Sequence, residues 1–272
     1  MLYVIGNPIR HSFSPTIHNY WMNKYGIKNK YEQLLVRKEE LEKVINEVRQ
    51  NSILGLNVTL PYKVQIIPYL DSLHITARES GAVNTVYKNK QQKIEGANTD
   101  GIGLCSFLEK DKLFNFNGKS ILVLGAGGSA KGIISEMVKK RTSKIKVMNR
   151  TAKNAFEIAE YYKNRSTEII AEEWNTSKPF KNIDLIINTT SFGMGKNEHI
   201  KLNTHKLKKT TIVVDIIYNP KQTLFLKEQR DKGLTVYNGI GMLIRQAAAS
   251  FNFWFNIELS KNDITEIEKR IE

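Results

Sequence analysis

ILVLGAGGSAKG, residues 121–132, is the stretch that decides the fold. The apolar run Ile121 to Leu124 stops at Gly125, and Gly127 and Gly128 follow immediately before a helical segment. Glycines alone are a weak signal. Placed after a strand, opening a helix, with a second strand beyond, they form the turn of a dinucleotide-binding βαβ unit. Gly125 permits the tight turn, and Gly127 lets a pyrophosphate approach the backbone. Ala130, small enough for close helix–strand packing, replaces a third glycine. With Ala126, Gly128 and Ser129 it completes a loop whose free N–H groups and helix dipole favour negative charge.

Working outward, further strands are expected at 145–149, 168–171, 184–190, 211–217 and 235–239, with helical stretches such as 153–163 and 222–233 between them. Short, nearly all-apolar strands with interposed helices predict a doubly wound parallel sheet. The second strand ends in MNRTAKN, where an NAD site usually offers an acid to the ribose hydroxyls. Asn149, Arg150, Thr151 and Lys153 stand there instead. A guanidinium grips a 2′-phosphate that a carboxylate would repel, so NADP(H) is the expected cofactor.

The N-terminal half has a different texture. Strand-like LYVIG, YEQLLV, ILGLNVTL, AVNTVY and KIEGAN alternate with helices, one opening at Ser14-Pro15 as cap and first residue. Ile17, Tyr20, Trp21 and Tyr25 share its apolar spacing; Leu41, Val44, Ile45 and Val48 mark a second helix. NKQQK (89–93) reads as a hairpin turn, so this sheet is expected to be mixed. The apolar helix GMLIRQAAASFNFWFN and a final helix near Asn262-Asp263 follow the last nucleotide-domain strand and are expected to return to the first half.

Composition narrows the classes. A net charge of +14 invites a nucleic-acid reading, but the lysines are dispersed and no nucleic-acid motif accompanies them. Cys105 is the sole cysteine, which excludes an intrachain disulfide. No apolar run reaches the ~18 residues of a membrane span, and the start lacks a secretory pattern. A soluble, cytoplasmic protein is expected, with monomer and homodimer both open. One feature resists a bland account: the strand of GLNVTLPYK (55–63) ends at Pro61, and Lys63 follows at its mouth. A solvated lysine on a first helical turn is the plain alternative.

HSFSP (11–15), NVTLPYK (57–63), SGAVNT (80–85), NTDG (98–101), GAGGSA (125–130), NRT (149–151), NTTSFGM (188–194), DIIYNP (215–220) and GIGMLIRQA (239–247) together resemble the motif set of the shikimate dehydrogenase family. They occur in the family's order over nearly the whole chain. The resemblance implies a substrate-binding and catalytic domain at 1–101, a Rossmann-like NADP domain at 102–239, and helices at 240–272 completing the first. It implies reversible, NADP(H)-linked interconversion of 3-dehydroshikimate and shikimate, with Lys63 and Asp100 as the catalytic pair. Hydride delivery to a ketone leaves an alkoxide needing a proton, which a lysine can give while a carboxylate holds it.

By the same resemblance Ser12, Ser14 and Tyr218 bind the substrate carboxylate. Thr59, Asn84 and Gln246 bind its ring hydroxyls, and Thr189, Ile216 and Gly239 line the nicotinamide, the last two through backbone groups. His11 receives no catalytic role. One departure stands out: Asn154 occupies the place of the family's frequent second arginine, and Lys153 is the nearest substitute charge. A dual-specificity quinate/shikimate dehydrogenase and a catalytically silent dinucleotide-binding regulator remain alternatives at this point.

Overall fold

The structure, a computed structural model, describes residues 1–10, 12–195 and 199–271. The chain divides into two compact units, one built from Met1–Phe107 with Gly241–Glu272 and the other from Leu108–Ile240. The expected divisions at 101/102 and 239/240 lie a few residues before these.

The discontinuous unit carries β1 (Leu2–Gly6), α1 (Ser14–Lys24), β2 (Tyr31–Leu35), α2 (Leu41–Arg49), β3 (Gly55–Val58), β4 (Ser72–Leu73), α3 (Ile75–Ser80), β5 (Thr85–Lys88), β6 (Ile94–Ala97) and α4 (Asp100–Ser106). Its sheet runs in the order β2-β1-β3-β5-β6-β4. β2, β1 and β3 are parallel, and β5 runs antiparallel to both β3 and β6. The sheet is therefore mixed, with the expected hairpin between β5 and β6. Leu41, Val44, Ile45 and Val48 cover one face, packing with Ile5, Leu56, Val58, Val86 and Ile94.

Several boundaries differ from the sequence expectation. β3 stops at Val58 rather than Leu60: the Thr59 N–H makes the last rung to the Ile5 carbonyl at 2.9 Å, and the Thr59 carbonyl then accepts from Tyr62 N–H in the turn that follows. The two-residue β4, too short to leave a periodic signal, pairs with β6. Ser14 is the first residue of α1 and does not cap it; the Ser14 N–H instead donates to Ser12 Oγ at 3.3 Å. The buried face of α1 is Ser14, Ile17, His18, Trp21 and Met22. Tyr20 and Tyr25, expected among its apolar positions, direct their hydroxyls to Glu266 and Asp263. His18 takes the interior place instead, stacked on Tyr31 with ring centroids 4.4 Å apart. Burial depresses its pKa to about 3.

The contiguous unit carries β7 (Ser120–Leu124), α5 (Gly128–Lys139), β8 (Lys144–Asn149), α6 (Ala152–Tyr162), β9 (Glu168–Glu173), β10 (Leu185–Asn188), β11 (Ile212–Asp215), α7 (Leu224–Asp231) and β12 (Thr235–Tyr237). All pairings are parallel, in the order β12-β11-β10-β7-β8-β9. Read from β9, the first three strands run backwards and the next three forwards, which is the doubly wound dinucleotide order. The reversal lies between β7 and β10. Both strands are almost wholly buried, as strands covered on two faces must be.

α8 (Ile240–Phe255) and α9 (Lys261–Ile271) return to the discontinuous unit, as expected. Trp254 of α8 donates its indole N–H to the Val86 carbonyl at 3.0 Å. A side chain at Gly103 of α4 would lie 2.7 Å from Gln246 Cβ, so the missing Cβ lets α4 and α8 touch. α9 begins near the expected position, but Ser260 supplies its cap, exchanging hydrogen bonds with Asp263.

Candidate functional site

Sequence order alone brings only Ser12 and Ser14 together among the candidate residues of the discontinuous unit; the fold joins four others. After β3 the chain passes through a cis Leu60–Pro61 bond, and buried Tyr62 donates its N–H to the Thr59 carbonyl and its hydroxyl to the Val36 carbonyl. Lys63 lies in this turn, not on a regular α-helix, and its carbonyl accepts from Val83 N–H at 2.7 Å. Its side chain is only 13% exposed. The plain alternative of a solvated lysine is thereby excluded. Lys63 Nζ meets Asp100 Oδ2 at 2.5 Å.

Asp100 is the first residue of α4, itself 3% exposed. Its N–H donates to Asn98 Oδ1 at 3.0 Å, and its other carboxylate oxygen accepts from Asn84 Nδ2 at 2.9 Å. Asn84 Nδ2 also lies 3.3 Å from Gln246 Oε1. Lys63, Asp100, Asn84 and Gln246 thus form one cluster. A charge pair this far from water is held only if each partner satisfies the other, which fixes the geometry of both. The pairing sets a proton donor beside a carboxylate that keeps it oriented.

Thr59 sits at the end of β3 against Gly6, where an added Cβ would meet its methyl at 2.5 Å. Ser12 and Ser14 join each other at the start of α1, and the Ser12 carbonyl also accepts from Gln33 Nε2. None of these three is hydrogen-bonded to the Lys63 cluster among the described residues. His11 lies outside the described residues. Thr85, Thr99, Asn57 and Ser250, which contact the cluster from behind, were not singled out from sequence. Three of them lie inside the quoted motifs, and Ser250 follows Gln246 by one helical turn, so polarity within apolar segments was the available signal.

In the contiguous unit the glycine loop behaves as its sequence implies. Gly125 has φ +107°, and a Cβ there would fall 2.5 Å from Thr189 Oγ1. Thr189, at the end of β10, donates both its N–H and its hydroxyl to the Leu124 carbonyl at 2.8 Å. The strand ends flanking the reversal point are therefore tied together. α5 starts at Gly128 with Gly127 as its cap, and a Cβ on Gly127 would meet no protein atom within 4 Å. Ser129 follows on the first turn, and Ala130 is fully buried.

Ala126 N–H donates to Asn149 Oδ1 at 3.2 Å, and Asn149 Nδ2 donates to the Thr151 carbonyl. Asn149 thus links the glycine loop to the segment after β8. Arg150 is exposed, with no hydrogen bond or ion pair among the described residues. Lys153, 81% exposed, reaches Glu157 at 4.0 Å. Open space at Gly127, the helix start beside it and an exposed guanidinium fit a phosphorylated dinucleotide.

After β11, Ile216 N–H donates to the Asn188 carbonyl at 3.0 Å, and a Cβ at Gly239 would overlap the Ile216 carbonyl. Only glycine fits there. Tyr218 occupies the same loop, before the cis Asn219–Pro220 bond. Buried Asp215 anchors that loop by accepting from Asn188, Ile217 N–H and Thr223. Burial lifts its pKa to about 6 against those three bonds. Nothing in the DIIYNP motif alone announces this anchoring.

Family models match in chain order: the shikimate dehydrogenase substrate-binding domain over residues 4–86, shikimate/quinate 5-dehydrogenase over 108–223, and the shikimate 5′-dehydrogenase C-terminal domain over 239–266. The chain belongs to the shikimate dehydrogenase family.

Among shikimate dehydrogenases, the NADP(+) enzyme of Methanococcus vannielii is 41% identical over 280 residues, covering 99% of this chain and 97% of its own. The Thermus thermophilus shikimate 5-dehydrogenase, solved with NADP(H) and shikimate, has TM-score 0.86 and 30% identity, covering 100% of this chain and 99% of its own. A ligand-free 5-ketofructose reductase of Gluconobacter superposes equally well, at TM-score 0.86 and 28% identity, covering 100% and 98% of the two chains. Among the described residues of this shikimate dehydrogenase family member, no helix is long and apolar enough to cross a membrane.

Proposed function

We propose that this protein is an NADP-dependent shikimate dehydrogenase, a cytoplasmic oxidoreductase that interconverts 3-dehydroshikimate and shikimate on the route to chorismate and the aromatic amino acids. The observation that carries the reading is the 2.5 Å contact between Lys63 and Asp100, 37 residues apart in sequence. When bound on the glycine loop, NADPH would supply the hydride for the ring ketone carbon. Lys63 donates a proton from Nζ to the oxygen as its negative charge develops, and Asp100 holds the ammonium in place. In the oxidative direction the pair takes the hydroxyl proton back.

Ser12 and Ser14 bind the substrate carboxylate, with Tyr218 as a further donor. Thr59, Asn84 and Gln246 bind the ring hydroxyls. Gly125 to Ala130 hold the pyrophosphate on the α5 N-terminus. Asn149, Arg150, Thr151 and Lys153 hold the adenosine ribose and its 2′-phosphate, and Thr189, Ile216 and Gly239 face the nicotinamide. The curated relatives named as NADP(+) enzymes support the cofactor assignment, and the exposed Arg150 agrees with it.

Initial rates with shikimate and NADP⁺, set against quinate and NAD⁺, test the reading. The first combination is expected to give the highest kcat/KM. Comparable turnover of quinate would establish dual specificity, and no turnover of either acid would overturn the assignment.

A further inference from the structure

Behind Asp100 runs a line of buried polar side chains to which the functional reading gives no task. The Tyr31 hydroxyl donates to Asn57 Oδ1 at 2.7 Å. With that oxygen occupied, the Asn57 amide points its N–H groups inward, to Ser250 Oγ at 3.0 Å and the Asn84 carbonyl at 3.0 Å. Ser250 Oγ lies 2.7 Å from Thr85 Oγ1, and the Thr85 hydroxyl donates to Asn84 Oδ1 at 2.9 Å. Thr99 gives the same oxygen its N–H at 2.9 Å and its hydroxyl at 3.1 Å. Thr85, Thr99 and Ser250 are fully buried, and Asn57 is 5% exposed.

The donors all run one way. An amide accepts only at oxygen and donates only at nitrogen, and a hydroxyl has one proton to give. Thr85 spends its proton on Asn84, so the Ser250 hydroxyl donates across its shortest contact, 2.7 Å to Thr85 against 3.1 Å to the Gln246 carbonyl and 3.3 Å to Thr99 Oγ1. The sequence Tyr31, Asn57, Ser250, Thr85, Asn84 therefore delivers donors stepwise to the Asp100 carboxylate. In such a chain each accepted bond strengthens the next donation. The Thr99 N–H on Oδ1 and the Asp100 carboxylate on Nδ2 fix the amide orientation. Turned over, the amide would set its oxygen against a carboxylate oxygen and its NH₂ group against the Thr99 N–H.

We propose that Thr85, Ser250 and Asn57 are positioning residues of the reaction, acting through the Asn84 amide to hold Asp100 Oδ1 and leave Oδ2 to Lys63. This rests on the reading of Lys63 and Asp100 as the reacting pair. Thr85→Val keeps the side-chain shape and removes the hydroxyl, whereas Thr85→Ser keeps the hydroxyl. Steady-state kinetics of both, and of Ser250→Ala, with shikimate and NADP⁺ decide the matter. Melting curves accompany each, and Ser250→Ala carries the test if Thr85→Val does not fold.

Thr85→Val and Ser250→Ala are expected to lower kcat/KM for shikimate about tenfold, the effect of one misplaced buried hydrogen bond. The shikimate KM should rise, the NADP⁺ KM should stay unchanged, and Thr85→Ser should restore most of the loss. Wild-type kcat/KM in both variants would overturn the inference. So would a kcat loss that matches the fraction of unfolded enzyme in the melting curves and that Thr85→Ser does not restore. A wild-type protein that turns over no shikimate would overturn this inference together with the functional reading; an active enzyme indifferent to Thr85 and Ser250 would overturn the inference alone.

Discussion

Lys63 Nζ and Asp100 Oδ2 meet at 2.5 Å, with the Asp100 side chain 4% exposed and the Lys63 side chain 13% exposed. The lysine is thus aimed by a turn anchored at both its carbonyl and its side chain, and is not free to sample rotamers in water. Lys63→Met is expected to lower kcat by roughly 10²- to 10⁴-fold with a smaller change in KM, the range for a lost acid–base group. Near wild-type turnover in a folded variant would remove Lys63 from the chemistry.

Arg150 is exposed and makes no hydrogen bond or ion pair among the described residues, so its removal separates recognition from stability. Arg150→Ala should raise KM for NADPH while NADH use stays nearly constant, because only the phosphorylated cofactor presents a dianion to the guanidinium. Equal losses with both cofactors would assign Arg150 to some other task.

Gly125 and Gly127 stand two residues apart and should fail in different ways. At Gly125, φ of +107° and the 2.5 Å approach to Thr189 make Gly125→Ala a folding defect, costing about 1–3 kcal/mol. A Cβ at Gly127 meets open space within the protein, so Gly127→Ala should melt within a few degrees of wild type yet bind NADP⁺ far more weakly. Urea denaturation and cofactor titration of the two variants read the difference directly. Undiminished NADP⁺ affinity in Gly127→Ala would mean that the phosphates lie elsewhere.

α9 is held to α1 by Asp263, which accepts from Lys24 at 2.7 Å, Tyr25 at 2.9 Å and Ser260 at 2.6 Å. Burial alone would raise its pKa, but the bonds from Lys24, Ser260 and Tyr25 outweigh burial and hold it well below 3.8. A depressed folded value means that the stabilisation is present above the ordinary carboxylate pKa and drains away as pH falls below it. Asp263→Asn should therefore cost about 2 kcal/mol near pH 7, and the gap to wild type should shrink by pH 3. A gap of the same size at both pH values would show that the charge is not what matters.

Period and punctuation were readable wherever a segment carried its own signal. The Gly125 turn, the buried face of α2 and the β5–β6 hairpin each follow from local chemistry, and so does the parallel sheet built on β7. Tyr20 and Tyr25 were misplaced because an aromatic ring counts as apolar in a periodicity, while its hydroxyl can draw it to a partner on another helix. Serine before proline favours a cap at Ser14, yet Ser12 Oγ takes the Ser14 N–H. Gln246 and Asn84 stand 162 residues apart, and no local rule says that they touch. That pairing exists only once α8 has packed against α4, so motif resemblance could name the residues but not derive their meeting.

The split make-up of the discontinuous unit has a temporal side. Residues 108–240 form one uninterrupted unit that can collapse on the ribosome as soon as they emerge, since domains generally fold as they are synthesised. Lys63, Asn84 and Asp100 leave the exit tunnel earlier but must wait for Gln246 and Ser250 before their surroundings are complete. Nascent chains stalled short of α8 would thus carry a finished nucleotide fold while the cluster around Lys63 and Asp100 is still incomplete.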